Sequence, residues 1–232
     1  MLHPQKKIPK REIKEDTLVT KYFEARTWIE EHRRLAGYIV AAPIVLVALW
    51  FWWSQKTAEW NETATTQLAK VQPYYDQANY DAAIKGVVQE GTQGLQAIVD
   101  EYGNTRTGEL ARFYLANSYF AIRDFDKALA CYKDVSVSDK MVSASALAGI
   151  AACHEAKGNH DEAGGYFEKA ASKDMSGIQA PENLRNAAAN FAAAGKNEKA
   201  VELLKTLKKE FPNSQAARDI DRYIAQYSSG LS

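Results

Sequence analysis

Three stretches of the chain repeat one helix–turn–helix pattern. Each has an apolar helical period, a short turn rich in Gly, Asp or Asn, and a second helix that opens with an acidic residue. The alanines that the second helices share are Ala128, Ala163 and Ala200, spaced 35 and 37 residues apart. A two-helix unit cannot bury its apolar stripe alone, so such units stack on one another. The repetition therefore predicts an all-α solenoid.

This pattern resembles the tetratricopeptide repeat, whose small and large residues lie where two antiparallel helices touch. The matching small residues of the first helices are Ala116, Ala151 and Ala188, and the matching aromatics are Tyr119 and Phe191. The large residues after the second-helix alanines are Tyr132, Phe167 and Leu204, and Pro212 matches the terminal proline in the third unit only. The second unit departs from the pattern, because His154 stands in the aromatic position.

A degenerate unit precedes these three, since Tyr80 and Ala83 align with Phe125 and Ala128. We expect a long helix from about Tyr80 to Tyr102, with a kink or break at its glycines. A capping helix is predicted from Ser214 to Tyr227, so the repeat domain covers residues 74–228. Residues 54–73 are predicted to form a helical stalk that Pro73 ends.

Residues 35–53 contain nineteen consecutive residues without a charge. As a helix they would span about 28 Å, close to the roughly 30 Å hydrocarbon core of a bilayer. A core helix of a soluble protein would show a polar face, and here only Tyr38 is polar. A cleaved signal peptide would begin earlier and carry a small-residue cleavage site. We therefore predict one transmembrane helix, which tolerates Pro43.

Charge and aromatic residues predict the orientation of this span. Arg33 and Arg34 directly precede it, and Trp50, Phe51, Trp52 and Trp53 end it as an aromatic belt. Residues 1–36 carry a net charge of +3 and the remainder −3. Residues 1–34 are therefore expected in the cytoplasm and the repeat domain outside it, which in a bacterium is the periplasm.

The predicted cytoplasmic segment is a flexible tail over residues 1–16, followed by an amphipathic helix that Asp16 caps. Its apolar period is Leu18, Tyr22, Ala25 and Ile29, flanked by Val19, Phe23 and Trp28. Two roles remain open for this helix. It could lie on the inner leaflet, or it could dock on a membrane partner.

Catalytic chemistry is not expected. The formal net charge of zero argues against nucleic acid as a partner. His154 and His160 lack further metal ligands, and nucleophile, zinc and phosphate-loop motifs are absent from the sequence. We therefore expect no enzyme activity, cofactor, metal or small-molecule substrate. Cys131 and Cys153 lie on helices of neighbouring units, where either a disulfide or two separate thiols is possible.

A closer resemblance covers most of residues 17–225. The segments KYFEARTWIEEHRRLAGYIV (21–40) and GLQAIVDEYGNTRTGELARFYLANSYFAIRDFD (94–126) are similar to the YfgM-like family of bacterial inner-membrane proteins. That resemblance implies a periplasmic scaffold ancillary to the Sec translocon and to a membrane-anchored chaperone of the prolyl-isomerase class. The alternative is a structural accessory subunit of another large membrane complex, concerned with envelope assembly, respiration or photosynthesis.

In either role, the concave face of the solenoid is the expected partner-binding surface. Five polar residues of the first helices lie away from the predicted alanine contacts: Arg112, Asn117, Lys157, Arg185 and Asn186. They are candidate partner-binding residues, and the alternative is that they are simply solvated. The candidate membrane-interface residues are Arg33, Arg34, Trp50, Trp52 and Trp53.

Overall fold

Helices make up nearly all the regular structure of residues 10–229, which are the residues that the computed structural model describes. The chain divides into two units, residues 1–56 and 57–232. In chain order the helices are α1 (Lys10–Glu31), α2 (Arg33–Asp76), α3 (Tyr80–Lys85), α4 (Leu95–Tyr102), α5 (Arg106–Ala121), α6 (Phe125–Lys133), α7 (Lys140–Ala156), α8 (His160–Lys173), α9 (Ala180–Ala193), α10 (Asn197–Glu210) and α11 (Ile220–Ser229). The predicted all-α class is confirmed, with one very short hairpin described below.

The first unit contains α1 and the start of α2. Helix α1 begins at Lys10, so Asp16 lies inside it and the prediction of Asp16 as its N-cap is wrong. Lys, Arg and Glu favour helix, which agrees with a helix that begins within this charged segment. The flexible tail predicted over residues 1–16 is wrong for residues 10–16, which are helical, and residues 1–9 lie outside the described residues.

Helix α2 is long and apolar enough to cross a membrane, and none of its most apolar window is buried. Its large apolar side chains from Leu35 to Trp53 are between 50 and 71 % exposed. In the second unit the same helix behaves differently, because Ala64, Leu68 and Val71 are buried there. Residues 57–76 therefore pack into the repeat domain, where the sequence predicted a stalk.

Pro73 does not end α2, which continues to Asp76. Proline removes one donor to the preceding turn but leaves the residues after it free to stay helical. The end is made instead by Ala78, which has a left-handed φ of 58°. Its neighbour Asn79 donates its backbone N–H to the Tyr74 carbonyl at 2.9 Å.

This turn occurs four times in residues 10–229. Its residue with left-handed φ is, in chain order, Ala78, Arg123, Gly158 and Gly195. The residue after each donates its N–H to the carbonyl of Tyr74, Tyr119, His154 or Phe191 at 2.8–2.9 Å. The four turns define four helix pairs: α2 (its residues 57–76) with α3, α5 with α6, α7 with α8, and α9 with α10. Each pair below has a first and a second helix in this order.

The alanine contacts predicted from the repeat are confirmed. The second-helix alanines, Ala128, Ala163 and Ala200, are all 0 % exposed. The first-helix alanines, Ala116, Ala151 and Ala188, are also 0 % exposed. Their large neighbours Tyr132, Phe167 and Leu204 are at most 5 % exposed, so they fill the space that the alanines leave between helices.

The second helix of the first pair is broken, so the single helix predicted from Tyr80 to Tyr102 is wrong, although the break at its glycines was expected. Between α3 and α4 lie strands β1 (Gly86–Val87) and β2 (Thr92–Gln93), which pair antiparallel around the tip Val88–Glu90. Gly86 has a φ of 81°, and a β carbon at Gly94 would lie 2.2 Å from the Ile84 carbonyl oxygen. Only glycine permits this close approach.

The predicted capping helix is shorter than expected. A 3₁₀ turn at Gln215–Ala217, capped by the Ser214 hydroxyl, precedes α11. Asp219, with a left-handed φ of 59°, separates the two. Ile220 is buried at the start of α11 and anchors the helix to the core.

Candidate partner-binding surface

The first helices of the four pairs lie side by side; we call α2 (57–76), α5, α7 and α9 the first-helix row. Side chains join its neighbours directly. The Thr65 and Thr107 hydroxyls are 2.9 Å apart, linking α2 to the second residue of α5. Asn190 of α9 donates its amide to a Glu155 carboxylate oxygen of α7 at 3.0 Å. The row is therefore a continuous surface on which a partner chain could lie.

Asn117, a predicted partner-binding residue, is engaged on both sides of its amide. Its Nδ2 donates to the Tyr75 hydroxyl at 3.1 Å, and its Oδ1 accepts from the Tyr132 hydroxyl at 2.6 Å. Burial raises the pKa of Tyr75 and of Tyr132, so both phenols stay neutral. Asn117 thereby ties α2, α5 and α6 together, which is an intramolecular role.

Arg112 is also turned into the protein, with only 20 % of its side chain exposed. Its Nε lies 3.5 Å from the Glu109 carboxylate, which accepts the Ser136 backbone N–H at 2.7 Å. A β carbon at Gly103 would lie 2.7 Å from the Arg112 Nη2 atom. The guanidinium therefore packs against the turn before α5.

Lys157 lies in the turn after α7 and forms an ion pair with Asp126 at 2.5 Å. Lys196 and Asp161 form the equivalent pair one unit further on, also at 2.5 Å. Each pair joins the turn of one unit to the start of the second helix of the unit before. Lys157 is therefore part of a repeating link between neighbouring helix pairs.

Arg185 and Asn186 are the two predicted residues that the fold brings to one place. They line a cavity of about 230 Å³ together with Ala189, Leu204, Tyr223 and Tyr227. Arg185 is ion-paired with Glu182, and the two tyrosine rings of α11 lie 6.2 Å apart. Burial raises the pKa of Tyr227. A pocket with an arginine, aromatic walls and an apolar floor is suited to hold a partner's anchor side chain.

Sequence reasoning missed the two tyrosines of this pocket. Tyr223 and Tyr227 are four residues apart and so share one face of α11. The spacing is visible in the sequence, but it predicted only a capping helix over the last helix pair and not a binding pocket.

Three larger clefts lie elsewhere in the repeat domain. One, of about 610 Å³, lies between α7 and α8 and is lined by Leu147, Glu168 and Lys173 among others. A second, of about 590 Å³, lies between the turn before α5 and the loop before α7 and is lined by Arg106, Glu109, Ser136 and Asp139 among others. A third, of about 530 Å³, lies beside the broken helix and includes Asp81, Gln96, Tyr119 and Lys127. None of the three contains any of the five predicted partner-binding residues.

His154 takes the aromatic position of the second unit. Its ring stacks on Tyr166 with centroids 5.4 Å apart and planes 9° apart. Both ring nitrogens are buried without a hydrogen-bond partner, and burial lowers the pKa of His154. His160 has a different environment, since its Nδ1 lies 2.9 Å from the Asn190 Oδ1.

Both cysteines are free thiols in this structure. Burial raises the pKa of Cys131, and it raises the pKa of Cys153 to about 11. Both shifts favour the protonated thiol near neutral pH. Among the residues described, no cluster of three or more His, Cys, Asp or Glu side chains is placed to hold a metal ion.

The five predicted membrane-interface residues all lie on the exposed part of α2. Trp50, Trp52 and Trp53 are 69, 62 and 58 % exposed, and Arg33 and Arg34 are exposed as well. The tryptophans follow one another closely, so they face several directions around the helix. A ring of this kind is suited to an interface that surrounds the helix on all sides.

Comparison with known proteins agrees with the helix pairing. The tetratricopeptide repeat family model matches residues 110–136 and 182–214, which cover most of the pairs α5/α6 and α9/α10. No curated protein matches the chain. Among solved structures, the nearly identical TPR-like repeats of a Podosopora anserina kinesin light chain match with a TM-score of 0.55 at 14 % identity, covering 74 % of this chain and 88 % of that one.

A variant of the same Podosopora anserina protein matches with a TM-score of 0.56 at 14 % identity, covering 74 % of this chain and 87 % of that one. At that identity the likeness concerns the fold alone. The chain therefore contains tetratricopeptide repeats in a solenoid-like fold. This class of fold is typical of non-enzymatic proteins that bind other proteins.

Proposed function

We propose that the chain is a non-enzymatic, membrane-anchored scaffold whose repeat domain binds protein partners. One observation carries the proposal: the same chain contains four stacked helix pairs and a long apolar helix, and none of that helix's most apolar window is buried. Stacked helix pairs present an extended surface for other chains. An apolar helix left exposed calls for a lipid environment.

The proposed anchor is the Leu35–Trp53 part of α2, within a single-pass topology. The Trp-rich end would lie at one interface and Arg33 and Arg34 at the other. Extraction of membranes with alkaline carbonate tests it: the full-length chain is expected in the pellet. Release of the chain into the supernatant would contradict the anchor.

We further propose that the N-terminus is cytoplasmic and that the repeat domain lies in the periplasm, at the bacterial inner membrane. The cationic residues before the span support this orientation. Protease added to intact spheroplasts should digest the repeat domain and spare an epitope at the N-terminus. Protection of the repeat domain would reverse the proposed topology.

The proposed partners are the Sec translocon and a periplasmic chaperone, on the strength of the sequence resemblance over residues 21–40 and 94–126. Affinity purification of the full-length chain in mild detergent should recover translocon subunits and a periplasmic prolyl isomerase. Recovery of a different stoichiometric membrane complex would instead support the accessory-subunit role. The membrane-interface residues would then carry the binding.

The proposed contact point in the repeat domain is the Arg185 cavity. The double substitution Arg185→Ala and Tyr227→Ala removes its charge and one aromatic wall, so recovery of the partners should fall about tenfold or more. Lys173→Ala, at an exposed position outside this cavity, is the matched control and should leave recovery unchanged. Equal recovery with both variants would place the contact elsewhere on the repeat domain.

A further inference from the structure

The Arg185 cavity has an apolar lining that reaches from the surface to the core. Ala189 of α9 is exposed, Leu204 of α10 is buried, and Tyr223 and Tyr227 of α11 complete the lining. Its volume of about 230 Å³ is enough for one large side chain, since an apolar cavity of about 150 Å³ already holds benzene. The cavity therefore fits a single anchor residue and not the whole face of a helix.

Two arginines place positive charge beside this lining. Arg185 is ion-paired with Glu182, and its side chain stays 42 % exposed. Arg222 lies next to the aromatic wall: its guanidinium carbon is 5.0 Å from the centre of the Tyr223 ring, and its Nη2 donates to the Tyr223 hydroxyl at 3.3 Å. Within residues 10–229, no carboxylate forms an ion pair with Arg222. The surroundings of the cavity therefore carry positive charge that the described chain does not neutralise.

A side-chain amide also faces this cavity without a partner in the described part of the chain. Asn186 lines the cavity, and only its backbone carbonyl is engaged, accepting from the Asn190 Nδ2 at 3.0 Å. An asparagine side chain offers both a donor and an acceptor, which match the C=O and N–H of a peptide backbone. The amide therefore favours a peptide over an apolar small molecule, which has neither group.

We infer that the Arg185 cavity holds one large apolar side chain of an extended partner segment, and that this segment carries Asp or Glu next to that side chain. The inference rests on the proposed function and names the chemistry of the partner at its proposed contact point. The apolar side chain fills the space between Ala189 and the two tyrosines, and the neighbouring carboxylate pairs with Arg222. A segment with Lys or Arg at that place would meet a like charge, so it is disfavoured.

Three short peptides test this chemistry on the full-length chain in detergent. Each contains the photo-cross-linking residue p-benzoylphenylalanine as its apolar residue, flanked on both sides by glutamate, glutamine or lysine. We expect the glutamate peptide to give about tenfold more adduct than the lysine peptide, with the adduct on α9 or α11. Equal yields from the three peptides, or adducts on other helices, would overturn the inference.

Two exposed alanines of α9 provide matched variants, because they lie four residues apart and only one of them lines the cavity. Ala189→Leu fills the cavity and should lower the yield of the glutamate adduct about tenfold or more. Ala193→Leu adds the same side chain outside the cavity and should leave the yield unchanged. Circular dichroism checks that both variants remain folded. Equal yields from the two variants would contradict the proposed occupant.

The charge is tested separately. Arg222→Glu reverses the charge beside the aromatic wall, so it should remove the preference for the glutamate peptide over the lysine peptide. Arg222 is exposed, and the substitution leaves the apolar lining intact. A glutamate preference that survives this change would show that Arg222 does not select the segment.

Partner recovery keeps this inference apart from the proposed function. The double variant Arg185→Ala and Tyr227→Ala could lose its partners while the parent chain shows no preference for the glutamate peptide. The contact point would then stand and the inference about its chemistry would fail. The opposite result, a clear peptide preference with partner recovery unaffected by the double variant, would support the chemistry of the cavity and count against the contact point.

Discussion

Leu46 and Leu204 are both leucines of long helices, but Leu46 is 66 % exposed and Leu204 is 1 % exposed. The difference holds for the two units as a whole. In the repeat domain, alanines bring the helices together and large side chains fill the space between them. In residues 19–56 the large apolar side chains are exposed. The repeat domain buries its apolar side chains within itself. The N-terminal unit exposes its apolar side chains, so their cover must come from outside the chain.

The largest expected effect comes from the same substitution made in both units. Leu204→Ala should lower the free energy of unfolding by about 2–5 kcal/mol, because it leaves a cavity in a closed core. Leu46→Ala should stay within about 0.5 kcal/mol of the parent, because that side chain has no protein packing to lose. Urea unfolding of the full-length chain in detergent, followed by circular dichroism, measures both. Equal losses would break the comparison.

A second pair of substitutions sharpens the description of the repeat core. A β carbon at Gly149 would lie 2.4 Å from the Tyr132 ring, whereas at Gly165 it would meet nothing within 4 Å. Gly149→Ala should therefore destabilise the chain by about 1–3 kcal/mol through overpacking.

Gly165→Ala is the matched control and should stabilise by up to about 1 kcal/mol, since alanine favours helix over glycine. The same urea titration checks both variants. A stabilising Gly149→Ala would mean that Tyr132 does not pack against α7.

The third prediction concerns pH. Burial lowers the pKa of His154 despite the nearby Glu162, and Lys133 and Lys157 act in the same direction as burial. The unfolded chain then takes up a proton at a higher pH than the folded chain does. The stability of the repeat domain should therefore fall as the pH drops below about 6.5.

His154→Phe restores the repeat's aromatic and removes this titration. Its thermal midpoint should gain on the parent as the pH is lowered from about 7.5 to about 5.5. The expected effect is smaller than that of Leu204→Ala. A constant difference between the two proteins across this range would show that His154 is not responsible.

The smallest effects are expected from exposed ion pairs. A double-mutant cycle on Lys157 and Asp126, with alanine at each, should give a coupling of about 0.2–1 kcal/mol that salt weakens. The same cycle on Arg26 and Glu30, a pair within α1, should leave the unfolding of the repeat domain unchanged. A coupling well above 1 kcal/mol for Lys157 would show that the link between helix pairs is a main source of stability.

The repeat core could be predicted from the sequence because its signal is local and repeated. Ala128, Ala163 and Ala200 recur at nearly constant spacing, and helix packing requires small residues at such contacts. The end of α2 could not be predicted in the same way. Pro73 is the obvious helix breaker, but Ala78, whose sequence gives no sign of a left-handed φ, makes the turn. That conformation depends on the packing of α3 against the first-helix row.

The candidate site shows the same limit. Arg112, Asn117 and Lys157 were selected as polar residues away from the alanine contacts, yet each has a partner within the chain. Asn117 and Lys157 have partners on other helices, which no local pattern reveals. Arg112 pairs with Glu109 three residues away on α5, but its packing against the turn at Gly103 is not visible in the sequence. Arg185 and Asn186 do line a cavity, but its aromatic wall belongs to α11, more than thirty residues away in sequence.

The sequence by itself determined the helix pairs, their order, the alanine contacts and the one uncharged apolar stretch, because each depends on periodicity or composition along a short segment. Only the tertiary structure decided where the first pair begins, how its second helix breaks, and which polar side chains are engaged. Those features arise from contacts between distant segments. At such positions the helical and turn conformations differ little in free energy, so packing against neighbouring helices determines which one forms.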